Sequence, residues 1–235
     1  MSKRRKRQLG YCAYCGQEAT TEDHIPPRGM FSKKMPNKPW VPACEPCNRG
    51  ASKDDEYMQR LSMLWGADCS QDAIEVGDKF MRSLDYPKAK GLLAEVRRSL
   101  SPLEDEELFP GGINFALSGD RLDRVVDKLV RGWFFKLTGN RFPEGYGFPK
   151  HMVGQKGHHL YAENAAIIEG FPETVFGDKA FSYRFAFSGQ DEFLTCWRFE
   201  FYGVFKIMAY SVLDLGDEFR IIDLRRPDLT KTAQQ

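Results

Sequence analysis

Tyr11-Cys12-Ala13-Tyr14-Cys15 and, 29 residues beyond Cys15, Cys44-Glu45-Pro46-Cys47-Asn48 frame the stretch on which the reading of this chain turns. Each half is a Cys-x-x-Cys knuckle. A two-residue gap lets one tight turn aim two sulfurs at a single point. Two such turns supply four thiolates, the tetrahedral set that zinc prefers. A closed four-sulfur shell leaves no open coordination position, so the expected role of Zn2+ is structural. Cys12, Cys15, Cys44 and Cys47 would staple a segment too short to bury a core of its own. Between and beside the knuckles stand the neighbours Asp23 and His24, and Asn48 directly after the last cysteine.

In this combination the stretch resembles the ββα-metal fold of the HNH endonucleases, in particular the endonuclease VII branch, where a zinc knuckle frames the active site. There an Asp-His pair follows the first knuckle and an Asn follows the last cysteine, which places Asp23, His24 and Asn48 on the motif. The resemblance covers about residues 9 to 60. It implies metal-dependent hydrolysis of DNA phosphodiester bonds, with RNA left open as substrate. His24 would be the general base, and Asp23 and Asn48 the ligands of a catalytic Mg2+ or Mn2+. Many HNH enzymes add a metal-binding histidine on the following helix. Here no histidine occurs between His24 and His151. Asp55 or Glu56 can stand in as an oxygen ligand, or Asn48 can fill the role alone.

The residue types suit the chemistry independently. Phosphodiester hydrolysis needs a deprotonated water and a cation on the crowded phosphate. A neutral imidazole can take the proton near neutral pH. A hard divalent cation prefers oxygens of the kind Asp23 and Asn48 carry. Neighbours in a regular strand point to opposite faces. Asp23 and His24 therefore need either an irregular backbone or a phosphate placed between them. The alternative function is a zinc-stabilised nucleic-acid-binding module that grips without cutting. A purely structural knuckle would leave the Asp-His pair without a purpose.

Totals bound the rest. With 235 residues, 42% hydrophobic and a net charge of +1, the chain has ample core and no global basic excess. Nucleic-acid affinity must then come from local patches. Two such patches are visible: Lys3, Arg4, Arg5, Lys6 and Arg7 in a basic tail, and Arg28, Lys33 and Lys34 in a proline-rich loop after His24. The tail lacks a following apolar run and is not a secretory signal. No apolar run reaches membrane-spanning length. Cys69 and Cys196 read as single buried thiols, and together with the metal spacing of the other four they indicate a reducing, cytoplasmic setting.

The expected architecture is α+β: a basic tail over 1–8, a zinc-stapled ββα-metal module over 9–66, and over 67–235 helices followed by an antiparallel sheet. A helix is expected from Asn48, capped by Ser52, with Asp54 to Glu56 in its first turn. Helices follow over 71–83 and 88–100, then a connector over 101–112. The clearest helix spans 120–137, with Leu122, Val125, Val126, Leu129, Val130 and Trp133 on one face and Gly139 or Asn140 at its end. Residues 141–163 read as loop, with His151, His158 and His159 as surface or hydrogen-bonded side chains. Past residue 180 the period becomes two. Phe181, Tyr183 and Phe185, then Trp197, Phe199 and Phe201, alternate with smaller or polar residues, as a helix-backed meander would. That aromatic face is expected to be core. The C-terminal part is expected to recognise substrate or partner, or to form a homodimer.

Overall fold

In a computed structural model of the chain, the described residues are 9–66, 70–84, 118–152, 166–189 and 191–213, single positions at 86, 91, 94 and 98, and short strands at 100–102, 113–115 and 224–225. The basic tail, Cys69, His158 and His159 lie outside them, as does most of the helix expected over 88–100.

The architecture is α+β. Strand β1 (Thr21–His24) pairs antiparallel with β2 (Trp40–Ala43), and the proline-rich loop between them carries one 3-10 turn, Arg28–Met30. Helix α1 (Glu45–Gly50) starts at the second knuckle with Pro46 in its first turn, where a missing N–H costs nothing. Asn48 therefore lies inside a helix, not at the start of one. Ser52 opens a separate helix, α2 (Ser52–Gly66), and its hydroxyl donates back to the Arg49 carbonyl, so it does not cap. At the break the Arg49 carbonyl takes both the Ala51 amide and this hydroxyl, so the Ser52 side chain is spent on the end of α1. Helix α3 (Gln71–Leu84) is capped by Ser70, whose hydroxyl accepts from the Ala73 amide.

Strands β3 (Leu100–Pro102) and β4 (Ile113–Phe115) pair with each other at the two ends of the expected connector. Helix α4 (Gly119–Thr138) matches the strongest periodic segment and ends at Gly139, φ 75, whose amide bonds the Phe135 carbonyl. Within the stretch expected to be loop, β5 (Tyr146–Gly147) and β6 (Lys150–Met152) form, and His151 falls in β6. The main sheet adds β7 (Glu173–Phe176), β8 (Phe181–Ser188), β9 (Thr195–Phe201) and β10 (Phe205–Tyr210). Two short strands follow, β11 (Val212–Leu213) on β5 and β12 (Leu224–Arg225) on β8. The six-stranded sheet runs β12-β8-β9-β10-β6 with β7 on the same edge of β8 as β12.

Helix α4 lies on the aromatic face: Trp133 packs 4.4 Å from Tyr183, 5.2 Å from Phe176 and 5.8 Å from Phe181, ring centre to ring centre. That face is core. The opposite face is also covered. Ile168 and Phe171 pack on Ala186, Cys196 and Met208. Arg198, only 5% exposed, is ion-paired there with Glu169, Glu173 and Glu200. One core runs from Ala13, Ile25 and Val41 through α4 to Phe181, Phe199 and Ile207. Among the described residues no helix is long and apolar enough to cross a membrane.

Candidate metal centre and active site

The two knuckles converge. The sulfurs of Cys12, Cys15, Cys44 and Cys47 all lie within 4.8 Å of one another. Cys15 and Cys44 are 3.6 Å apart. A tetrahedron of sulfurs at ~2.3 Å from a central zinc has edges of about 3.8 Å, whereas a disulfide needs about 2.05 Å. The cluster thus has the dimensions of a four-thiolate metal centre. Its frame is backbone: Cys12 N–H bonds Gln17 O, and Gly16 N–H bonds Cys12 O. Burial opposes ionisation of Cys12, yet the amides of Cys15, Cys44 and Tyr14 outweigh it and hold that thiol at about 7. Burial pushes Cys47 the other way, well up, and the neighbouring sulfurs of Cys44, Cys15 and Cys12 add to it. A cation at the centre would favour the thiolate at all four positions.

Ala13 N–H bonds Pro42 O and Thr20 N–H bonds Ala43 O, which fastens the first knuckle to β2. The hairpin itself is regular. Asp23 faces Val41 and His24 faces Trp40 in unbroken register. With no bulge, the two side chains take opposite faces. Asp23 is buried at 4% exposure, and His24 is half-buried on the outer face.

His24 Nδ1 lies 3.2 Å from the Pro39 carbonyl. A carbonyl only accepts, so in the neutral ring Nδ1 carries the proton and Nε2 offers the lone pair. The same carbonyl takes the Ile25 amide, which pins the strand end. Asn48 is held just as firmly. Thr21 Oγ1 donates to Ala43 O at 3.0 Å and accepts from Asn48 Nδ2 at 3.0 Å, while Glu22 O takes a second bond from Nδ2 at 3.2 Å. The amide orientation is therefore fixed, with Oδ1 as the end left to accept.

Asp23 is committed differently. Its Oδ2 accepts the Tyr14 hydroxyl at 2.7 Å and the Lys128 ammonium at 3.1 Å. Lys128 also bonds both oxygens of Asp55, at 2.8 and 3.0 Å. Burial pushes Asp55 up to about 6 despite that partner. Burial, with Asp23 beside it, pushes the Tyr14 phenol well above its ordinary range. The other helix-start acids are engaged as well: Asp54 takes a two-pronged bond from Arg124, and Glu56 pairs with Arg60. Arg28, Lys33 and Lys34 are exposed.

Helix α4 makes this arrangement. Its positions 124, 128, 132 and 136 fall four apart on one stripe. Arg124 meets Asp54, Lys128 meets Asp55 and Asp23, Gly132 meets Ile25, and the Lys136 ammonium donates to Trp40 O. A Cβ at Gly132 would stand 2.9 Å from Ile25 Cγ2 and 3.4 Å from the Tyr14 hydroxyl. The glycine is what lets the helix approach the hairpin. Lys128 left no mark in the motif, because it lies 73 positions beyond Asp55 in the chain. Tyr14 could have been suspected, since it sits between the knuckle cysteines.

No protein-family model, no curated protein and no solved structure matches this chain.

Proposed function

We propose that the chain is an HNH-type phosphodiester hydrolase acting on DNA, with His24 as general base and zinc as the ion of the four-cysteine centre. Zinc is favoured because four thiolates and no oxygen ligand form a closed, soft tetrahedral shell. The observation that carries the catalytic reading is the anchoring of His24. A base must present a lone pair in a fixed direction, and the Pro39 carbonyl supplies both the tautomer and the orientation. His24 Nε2 would take a proton from water; the hydroxide would attack phosphorus; the bond from phosphorus to the leaving oxygen would break, and solvent would protonate that oxygen. Asn48 Oδ1, fixed beside β1, is available to a water or cation. Arg28, Lys33 and Lys34 would neutralise phosphates along the approach, as would the basic tail.

The Mg2+ or Mn2+ that the resemblance implies does not fit at Asp23 as the residues stand. That carboxylate is buried and holds an ammonium. This observation favours a second reading, a zinc-stapled nucleic-acid-binding module without cleavage. One assay separates the two: purified protein on supercoiled, linear and branched DNA with and without Mg2+ or Mn2+, beside His24→Ala. The enzyme reading expects cleavage by the wild type and a loss of roughly 10²–10⁴-fold in the variant, with DNA binding intact. Binding without cleavage by the wild type selects the second reading.

A further inference from the structure

The Asp23 site holds a positive charge already. Lys128 Nζ lies 3.1 Å from Asp23 Oδ2 and 2.8 and 3.0 Å from the two oxygens of Asp55. Its side chain is 10% exposed and that of Asp23 5%. An ammonium so placed satisfies carboxylate oxygens from two separate elements, β1 and α2, as a hard cation between them would. It reaches the spot from α4, outside the segment that resembles a nuclease. Its seat is built: Gly132, one turn on, brings the helix against Ile25 and Tyr14, and Tyr14 donates to the same Asp23 oxygen. Arg124, one turn back, holds the adjacent Asp54. Asp54 is therefore not left to neutralise whatever enters beside Lys128.

We propose that the Lys128 ammonium occupies the cation position between Asp23 and Asp55, so that a divalent ion reaches Asp23 only by displacing it. The inference rests on the reading of Asp23 as a site carboxylate. Two like charges cannot share one buried carboxylate without strong repulsion. Lys128 thus sets how much divalent cation the site demands. It belongs to the chain as a positioning residue: it holds Asp23 in place and stands aside or excludes the ion.

The test is Mn2+ binding by the zinc-loaded full chain, followed by the loss of the free-ion paramagnetic signal. Lys128→Met removes the charge and keeps most of the bulk. It should bind one Mn2+ at least roughly tenfold more tightly than the wild type, since the competitor is gone. Lys128→Arg should bind as the wild type does. Adding Asp23→Asn to Lys128→Met should abolish the gain, which locates the ion. A merely structural lysine would give no gain in Mn2+ affinity. Equal titration curves for Lys128→Met and wild type overturn the proposal. Should Lys128→Met fail to fold without metal, Mn2+ restoring its thermal transition is the same result read on stability; no restoration overturns it. Because cleavage is not the readout, an inactive wild type sinks the proposed function and leaves this result standing on its own.

Discussion

At Asp23 three side chains from three parts of the chain meet, and their balance is open to measurement. Tyr14 donates to Asp23 at 2.7 Å from a half-buried position. Tyr14→Phe leaves that oxygen short of one donor and should cost about 1–2 kcal/mol in urea unfolding; an unchanged midpoint would mean Lys128 alone satisfies Asp23. Asp55 makes a less intuitive prediction. Burial outweighs the attraction of Lys128, so its carboxyl ionises at about 6 in the fold against 3.8 when unfolded. Between those values the folded chain holds the extra proton. Its stability should therefore fall as pH rises from about 4 to about 6, and stay lowered above that. Asp54 acts in the opposite sense: Arg124 lowers its pKa, so its contribution is present above the ordinary carboxylate range and is lost only in acid. Relative to wild type, Asp55→Asn should thus gain stability between pH 4.5 and 7, by about 2 kcal/mol across that window. Urea midpoints at both pH values check this, and a gain that shrinks with rising pH contradicts it. An ion pair of this kind is weak evidence for stability, because desolvation competes with it.

At the scale of elements, α4 is the decisive piece, and it was legible in part. Its apolar stripe from Leu122 to Trp133 follows the helical period, and the aromatic alternation in β8 and β9 marks the sheet it covers. What could not be read is that α4 has a second working stripe. Arg124, Lys128 and Lys136 look like ordinary solvated charges in a sequence, since nothing local says which acid or carbonyl each will meet. The outer face of the sheet hid in the same way. Ser182, Arg184, Arg198 and Glu200 sit at the polar positions of the alternation, yet Arg198 is buried under the segment that carries Ile168 and Glu169. The knuckles, by contrast, were legible because their spacing is local geometry. Gly132 gives the test at this scale. Alanine is the better helix former by about 1 kcal/mol, but its methyl would meet Ile25 Cγ2 at 2.9 Å, a branch atom with little room to swing. Gly132→Ala should therefore lower stability by about 1–3 kcal/mol in spite of propensity. A more stable variant would show that the hairpin yields easily.

For the whole molecule, the four-cysteine centre and the common core predict coupled behaviour. Stripping the metal with a strong chelator should loosen more than the knuckles, because Ala13 and Ile25 belong to the same cluster as Trp133 and Phe181. Elemental analysis should find one zinc per chain, and chelation should lower the thermal transition of the entire protein; a preserved transition of the sheet would show two independent units. Tyr202, at φ 53 in the turn between β9 and β10, is fully buried and donates its hydroxyl to the Met30 carbonyl at 2.7 Å. That bond spans 172 positions of the chain. A gene fragment ending at residue 66 would strand Met30 without this partner and the hairpin without α4, so the four-cysteine segment is not portable. Anyone seeking to graft it onto another scaffold would have to carry the β9–β10 turn along.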